Sequence, residues 1–206
     1  MRIGLVATSR SGSTYFRRVL CNTFGLYDPS SWLRENSYKN IKKENWSRQP
    51  HVLKILPHYI PENESIGDII KEYKNIWLYR QDVLSQFLSH ITRLRTKVNH
   101  IHYKTERPDI PDNSLIATKE EFDMFITRLE QFWEIYYTHN EGSLISFEEF
   151  LKDPLTTLID LQENYDLKAN NNYKSELTIK LDINYKKKFK NIEEIKDWFE
   201  KCRIFV

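Results

Sequence analysis

The chain has 206 residues, a formal net charge of +2 and an aromatic content of 14%, with only five glycines and seven prolines. That length suits one compact domain with a real core, and the composition excludes disorder, collagen-like repeats and a turn-rich all-β sandwich. The near-balanced charge argues against a whole-protein basic field for nucleic acid. Cys21 and Cys202 stand too far apart in sequence for a CxxC metal or redox pattern, and two thiols make no disulfide framework.

Ile3 to Ala7 is a short apolar run of the kind that forms a buried parallel strand. It is too short for a signal peptide or a membrane span, and no later window reaches spanning length, so a cytoplasmic protein with no membrane partner is expected. A small-residue loop, Thr8 to Ser13, follows. Phe16, Val19, Leu20 and Phe24 then recur at helical spacing, with Cys21 on the same apolar side. Val52 to Leu56 predicts a second strand ended by Pro57, and Asn75 to Tyr79 a third that runs into Arg80. Asp82 is placed to cap a helix through Val83, Phe87, Leu88, Ile91 and Leu94.

Residues 98–118 are polar with two prolines and read as a loop or lid. Phe122, Phe125, Ile126, Leu129, Phe132, Trp133, Tyr136 and Tyr137 share one face of a long helix. Ser143 to Phe147 predicts a fourth strand, and Leu151, Leu155, Leu158 and Leu161 a helix after it. Asn170-Asn171-Asn172 marks a turn. The basic run Tyr185 to Lys190 precedes a final helix with Ile195, Trp198 and Phe199. Strands alternating with helices predict an α/β fold, a three-layer parallel sheet flanked by helices, in a single domain over residues 1–206.

The segment Ala7-Thr8-Ser9-Arg10-Ser11-Gly12-Ser13-Thr14 sits between a strand and a helix. Its small residues let backbone N–H groups turn inward, and the helix N-terminus favours an anion, so phosphate or sulfate is the expected ligand. It departs from the Walker A pattern, which needs a lysine directly after its last glycine; Ser13 stands there instead. A kinase-like phosphotransferase would thus lack its main phosphate cation. Arg10 is the nearest one.

Arg10-Ser11-Gly12-Ser13-Thr14 resembles the RSGS[ST] loop with which carbohydrate-type sulfotransferases hold the 5′-phosphosulfate of 3′-phosphoadenosine-5′-phosphosulfate (PAPS). Tyr79-Arg80-Gln81-Asp82-Val83-Leu84-Ser85-Gln86-Phe87-Leu88-Ser89 resembles their 3′-phosphate segment, most closely that of the bacterial trehalose 2-sulfotransferase type. The resemblance implies a P-loop nucleotide-binding, sulfotransferase-like fold, with Arg80 and Ser89 on the 3′-phosphate. It reaches Leu144 to Leu161 more weakly: Phe147 stands where the family's Leu-x-x-Tyr-Glu-Asp turn has tyrosine.

Sulfuryl transfer is mainly a matter of alignment and charge stabilisation, with a base for the acceptor hydroxyl. By the resemblance, PAPS is the donor and PAP (adenosine 3′,5′-bisphosphate) the product, no metal is needed, and the acceptor is a small molecule or carbohydrate. Asp28, before Pro29, resembles the base position of carbohydrate-type members, or is a turn residue before proline; in the trehalose type that position falls on Ser31, and Glu35 is the other carboxylate within reach. Lys54 sits in an apolar run, where a lysine must find an anion or snorkel, and family members carry a sulfate-side lysine there. The Lys186–Lys190 cluster, with Lys187 and Lys188, resembles a basic loop near the family's C-terminus that would close over nucleotide; a solvated charge run is the commoner reading of such a stretch. His58 reads as a base or, more simply, a surface histidine, and His100 with His102 lacks further metal ligands. The trehalose-type resemblance implies a homodimer. A P-loop kinase-like phosphotransferase and an inactive PAPS- or PAP-binding module are the alternatives.

Overall fold

The structure, a computed structural model, describes residues 1–29, 33, 36–97, 110–170 and 184–202. They group into two compact units, Met1–Gln81 with Arg128–Leu177, and Asp82–Thr127 with Thr178–Val206. No linker composition marks these divisions in the sequence. Among the described residues, one division falls two residues after a strand end and another inside a continuous helix.

The first unit is built on four parallel strands, β1 (Arg2–Ala7), β2 (His51–Ile55), β3 (Lys74–Tyr79) and β4 (Ser143–Ser146), in the order β2-β1-β3-β4. Side chains alternate across a pleated strand, and here each face has its own core. Ile3, Leu5, Ala7, Val52, Ile76 and Leu78 pack on one face against helix α1 (Ser13–Phe24), through Phe16, Val19 and Leu20. Val6, Leu53, Ile55 and Trp77 pack on the other face, against Ile69 and Ile70 of α2 (Ile66–Lys71) and Phe132 of α4 (Lys119–Thr138). Helices on both faces explain why the strands read as continuous apolar runs.

The fourth strand stops one residue earlier than the apolar pattern predicts. The Ser146 hydroxyl accepts from the Glu149 N–H and starts α5 (Phe147–Lys152) at Phe147. The helix predicted through Leu151 and Leu161 is two helices, because Pro154 opens α6 (Pro154–Tyr165) and Asp153 caps it through the Thr156 N–H at 3.1 Å. The strand's entry is fastened by Tyr165, whose hydroxyl donates to the Asn75 carbonyl and accepts from the Ser143 N–H at 2.8 Å.

The second unit holds α3 (Val83–Thr96), α4 through Thr127, α7 (Tyr185–Lys188) and α8 (Ile192–Cys202). Asp82 caps α3 as expected: one carboxylate oxygen accepts the Ser85 N–H at 2.9 Å, the other its hydroxyl at 2.6 Å. Phe87, Phe122, Phe125 and Phe199 meet edge-on or tilted, with ring centres 4.9–6.0 Å apart, a geometry aromatic quadrupoles favour.

Candidate functional site

In open parallel sheets, ligands sit beyond the carboxyl ends of the strands. On that edge of the first unit, Ala7 pairs with Leu78, so the loop after β1 and the residues after β3 emerge side by side. The loop turns on two left-handed residues, Arg10 (φ +62°) and Gly12 (φ +83°). The fully buried Ser11 donates its hydroxyl to the Thr8 carbonyl at 2.8 Å, so that side chain shapes the loop. Gly12 is the N-cap of α1, and no side chain caps that helix. Its N-terminal field is therefore directed at whatever the loop holds.

Gly12 is required for a second reason. A Cβ there would lie 2.3–2.5 Å from the Phe147 ring. Gly12→Ala is expected to cost about 2–4 kcal/mol, the sum of a forced left-handed alanine and an overpacked ring. Urea denaturation would read it.

Two cationic groups and one imidazole reach this edge. Lys54 is buried on β2, on the strand face that meets α1, and its Nζ donates to Thr14 Oγ1 at 3.4 Å. The carboxyl end of β3 delivers Arg80, whose Nε donates to Glu148 Oε1 at 3.1 Å and whose guanidinium lies 5.9 Å from the centre of the Phe147 ring. Phe147 thus neighbours both Gly12 and Arg80. His58, in the turn after β2, places Nε2 3.0 Å from the Ser9 hydroxyl of the loop. The structure therefore brings Arg10 to Thr14, Lys54 and Arg80 to one sheet edge and adds His58 and Glu148. Sequence gives no sign of either pairing, since the partners are 49 and 68 residues apart.

Asp28 stands elsewhere in its bonding. Its carboxylate lies 2.9 Å from Nε of Arg17, a side chain only 3% exposed. Burial pulls the Arg17 pKa down, against the Asp28 charge that pushes it up. Next to this pair the Cys21 thiol is pushed up to about 12, first by burial and then by Asp28, so it stays an inert thiol. Glu35 and the neighbouring Ser31, and also His100 and His102, lie outside the described residues. Ser89 is buried on α3, Lys187 lies on α7, and Lys188 pairs with Asp112 at 2.7 Å; all three belong to the second unit. Among the described residues, no group of three or more His, Cys, Asp or Glu side chains could hold a metal ion, and no helix is long and apolar enough to cross a membrane.

No family model and no curated protein matches the chain. Solved structures do. Mouse sulfotransferase SULT7A1, complexed with PAP, superimposes with a TM-score of 0.53 at 14% identity over 82% of this chain, which spans 59% of the mouse chain. A sulfotransferase from Alicyclobacillus acidocaldarius gives a TM-score of 0.53 at 11% identity, covering 97% of this chain and 91% of its own. The protein has an α/β fold of the sulfotransferase kind. The likeness is one of fold and does not single out the trehalose type.

Proposed function

We propose that this chain transfers a sulfuryl group from PAPS to a hydroxyl acceptor. The observation that carries the proposal is the loop after β1: two left-handed residues lead into an uncapped helix N-terminus, with the buried Lys54 against its first turn. Arg10 to Thr14 and Lys54 suit the 5′-phosphosulfate, and Arg80, on the same edge, suits the 3′-phosphate. The PAP bound to the mouse neighbour is the molecule that would place a phosphate at each.

In this reading PAPS supplies the sulfuryl group and leaves as PAP. The loop N–H groups and Lys54 would stabilise charge on the leaving phosphate. His58 takes the proton of the acceptor hydroxyl. It is the imidazole beside the loop, the side chain most often used as a general base, whereas Asp28 is held by Arg17.

A thermal-shift panel of PAP, PAPS, AMP and ATP with magnesium tests the donor. A ligand at a hundred times its Kd adds about 2.7 kcal/mol to the native state, or about 5–10 °C in a chain of this size. PAP and PAPS are expected to give that shift and AMP a small one. A preference for ATP with magnesium would replace this reading with a phosphotransferase.

A further inference from the structure

We propose that Glu148 is a positioning residue, which holds the Arg80 guanidinium in the orientation that receives the nucleotide's 3′-phosphate. The inference rests on the reading of Arg80 given above.

The geometry is that of a clamp with three holds. One carboxylate oxygen of Glu148 accepts Arg80 Nε at 3.1 Å. The other accepts the Gln81 backbone N–H at 3.0 Å and lies 3.4 Å from the Ser146 hydroxyl. Glu148 is thereby tied both to the side chain of Arg80 and to the backbone that follows it. Burial acts to raise its carboxyl, but the bonds from the Gln81 N–H and from Arg80 outweigh burial and hold it below the ordinary glutamate range. It stays a carboxylate, an acceptor only, throughout the neutral pH range.

Arginine donates from two edges of a planar fork. With Nε given to Glu148, the terminal nitrogens form the edge that can take two phosphate oxygens together. The Phe147 ring centre lies 5.9 Å from the guanidinium carbon, and a Cβ at Gly12 would meet that same ring. Because Phe147 and Glu148 are consecutive, one short stretch of backbone carries both neighbours of the Arg80 guanidinium. Without the carboxylate, a long flexible side chain would have to be ordered by the ligand itself, and that ordering weakens binding.

The test compares wild type, Glu148→Gln, Glu148→Asp and Arg80→Ala by calorimetric titration of the full chain with PAP and with AMP, which lacks the 3′-phosphate. Arg80→Ala is expected to abolish the preference for PAP. Glu148→Gln is expected to weaken PAP about tenfold, the loss of a charge-assisted bond, and AMP less than about twofold. Glu148→Asp, which keeps the charge, should recover part of the preference even if the glutamine variant folds poorly. A merely structural role would weaken both nucleotides equally in Glu148→Gln, and that result overturns the proposal. So does an unchanged preference in Glu148→Gln while Arg80→Ala loses it, which leaves the reading of Arg80 standing. A wild type that does not prefer PAP removes that reading and this inference with it.

Discussion

Asp28→Ala is expected to lower the stability of the protein by about 2–4 kcal/mol, because it strands a buried guanidinium. Arg17 is the nearly inaccessible partner of the pair, and Asp28 is the part-exposed one, at 27%. Removing the carboxylate takes away the charge that faces the arginine, and the penalty falls on the buried group. Water can reach the vacated position, which keeps the loss below the largest measured for fully buried pairs. The urea midpoint of Asp28→Ala, compared with that of Arg17→Met/Asp28→Ala, checks this. If the cost is the unpaired charge, the double variant should regain much of the loss, and the two changes should be strongly non-additive. The same experiment decides what Asp28 is for. A catalytic base removed from an otherwise sound structure would leave the midpoint unmoved and lower only turnover.

The sheet was legible because buried parallel strands announce themselves as apolar runs, and Ile3–Ala7, Val52–Leu56 and Asn75–Tyr79 each lie within a residue of their observed ends. The Asp82 cap was legible for a local reason too: cap and capped N–H are three residues apart. Helix α2 was missed because six residues are too few to establish a period. The break at Pro154 shows the opposite failure, in which a leucine pattern ran on across a residue that fixes where a helix must begin.

The candidate site divides along the same line. The loop could be read because strand, small residues and helix are contiguous. What Arg80 binds inside the chain, and what faces Ser9, depend on how strands far apart in sequence are ordered. The residue pattern around Asp28-Pro29 pointed to a base, but the pattern contains no sign of Arg17, one helix away and inward-facing. A carboxylate's role depends on its partner, and the partner is supplied by packing.

His58→Ala is expected to lower kcat by about 10²–10³-fold, the usual worth of a positioned general base, while the Kd for PAP changes little. The separation follows from where the imidazole stands. Its Nε2 meets the hydroxyl of Ser9, at the front of the loop, whereas the charged contacts proposed for the nucleotide come from Lys54, Arg80 and the loop backbone. Removing the ring should therefore cost proton transfer and spare donor binding. The ring also packs on Tyr59, with centroids 4.4 Å apart, so His58→Gln, which retains bulk and a polar end, separates packing from proton chemistry. Both variants should lose the acidic limb of the wild-type pH–rate profile, because that limb reports the base in its protonated, idle form. Single-turnover measurements with radiolabelled PAPS and a panel of sugars, phenols and amines would read it. A variant that retains the wild-type rate and the acidic limb would show that His58 is not the base.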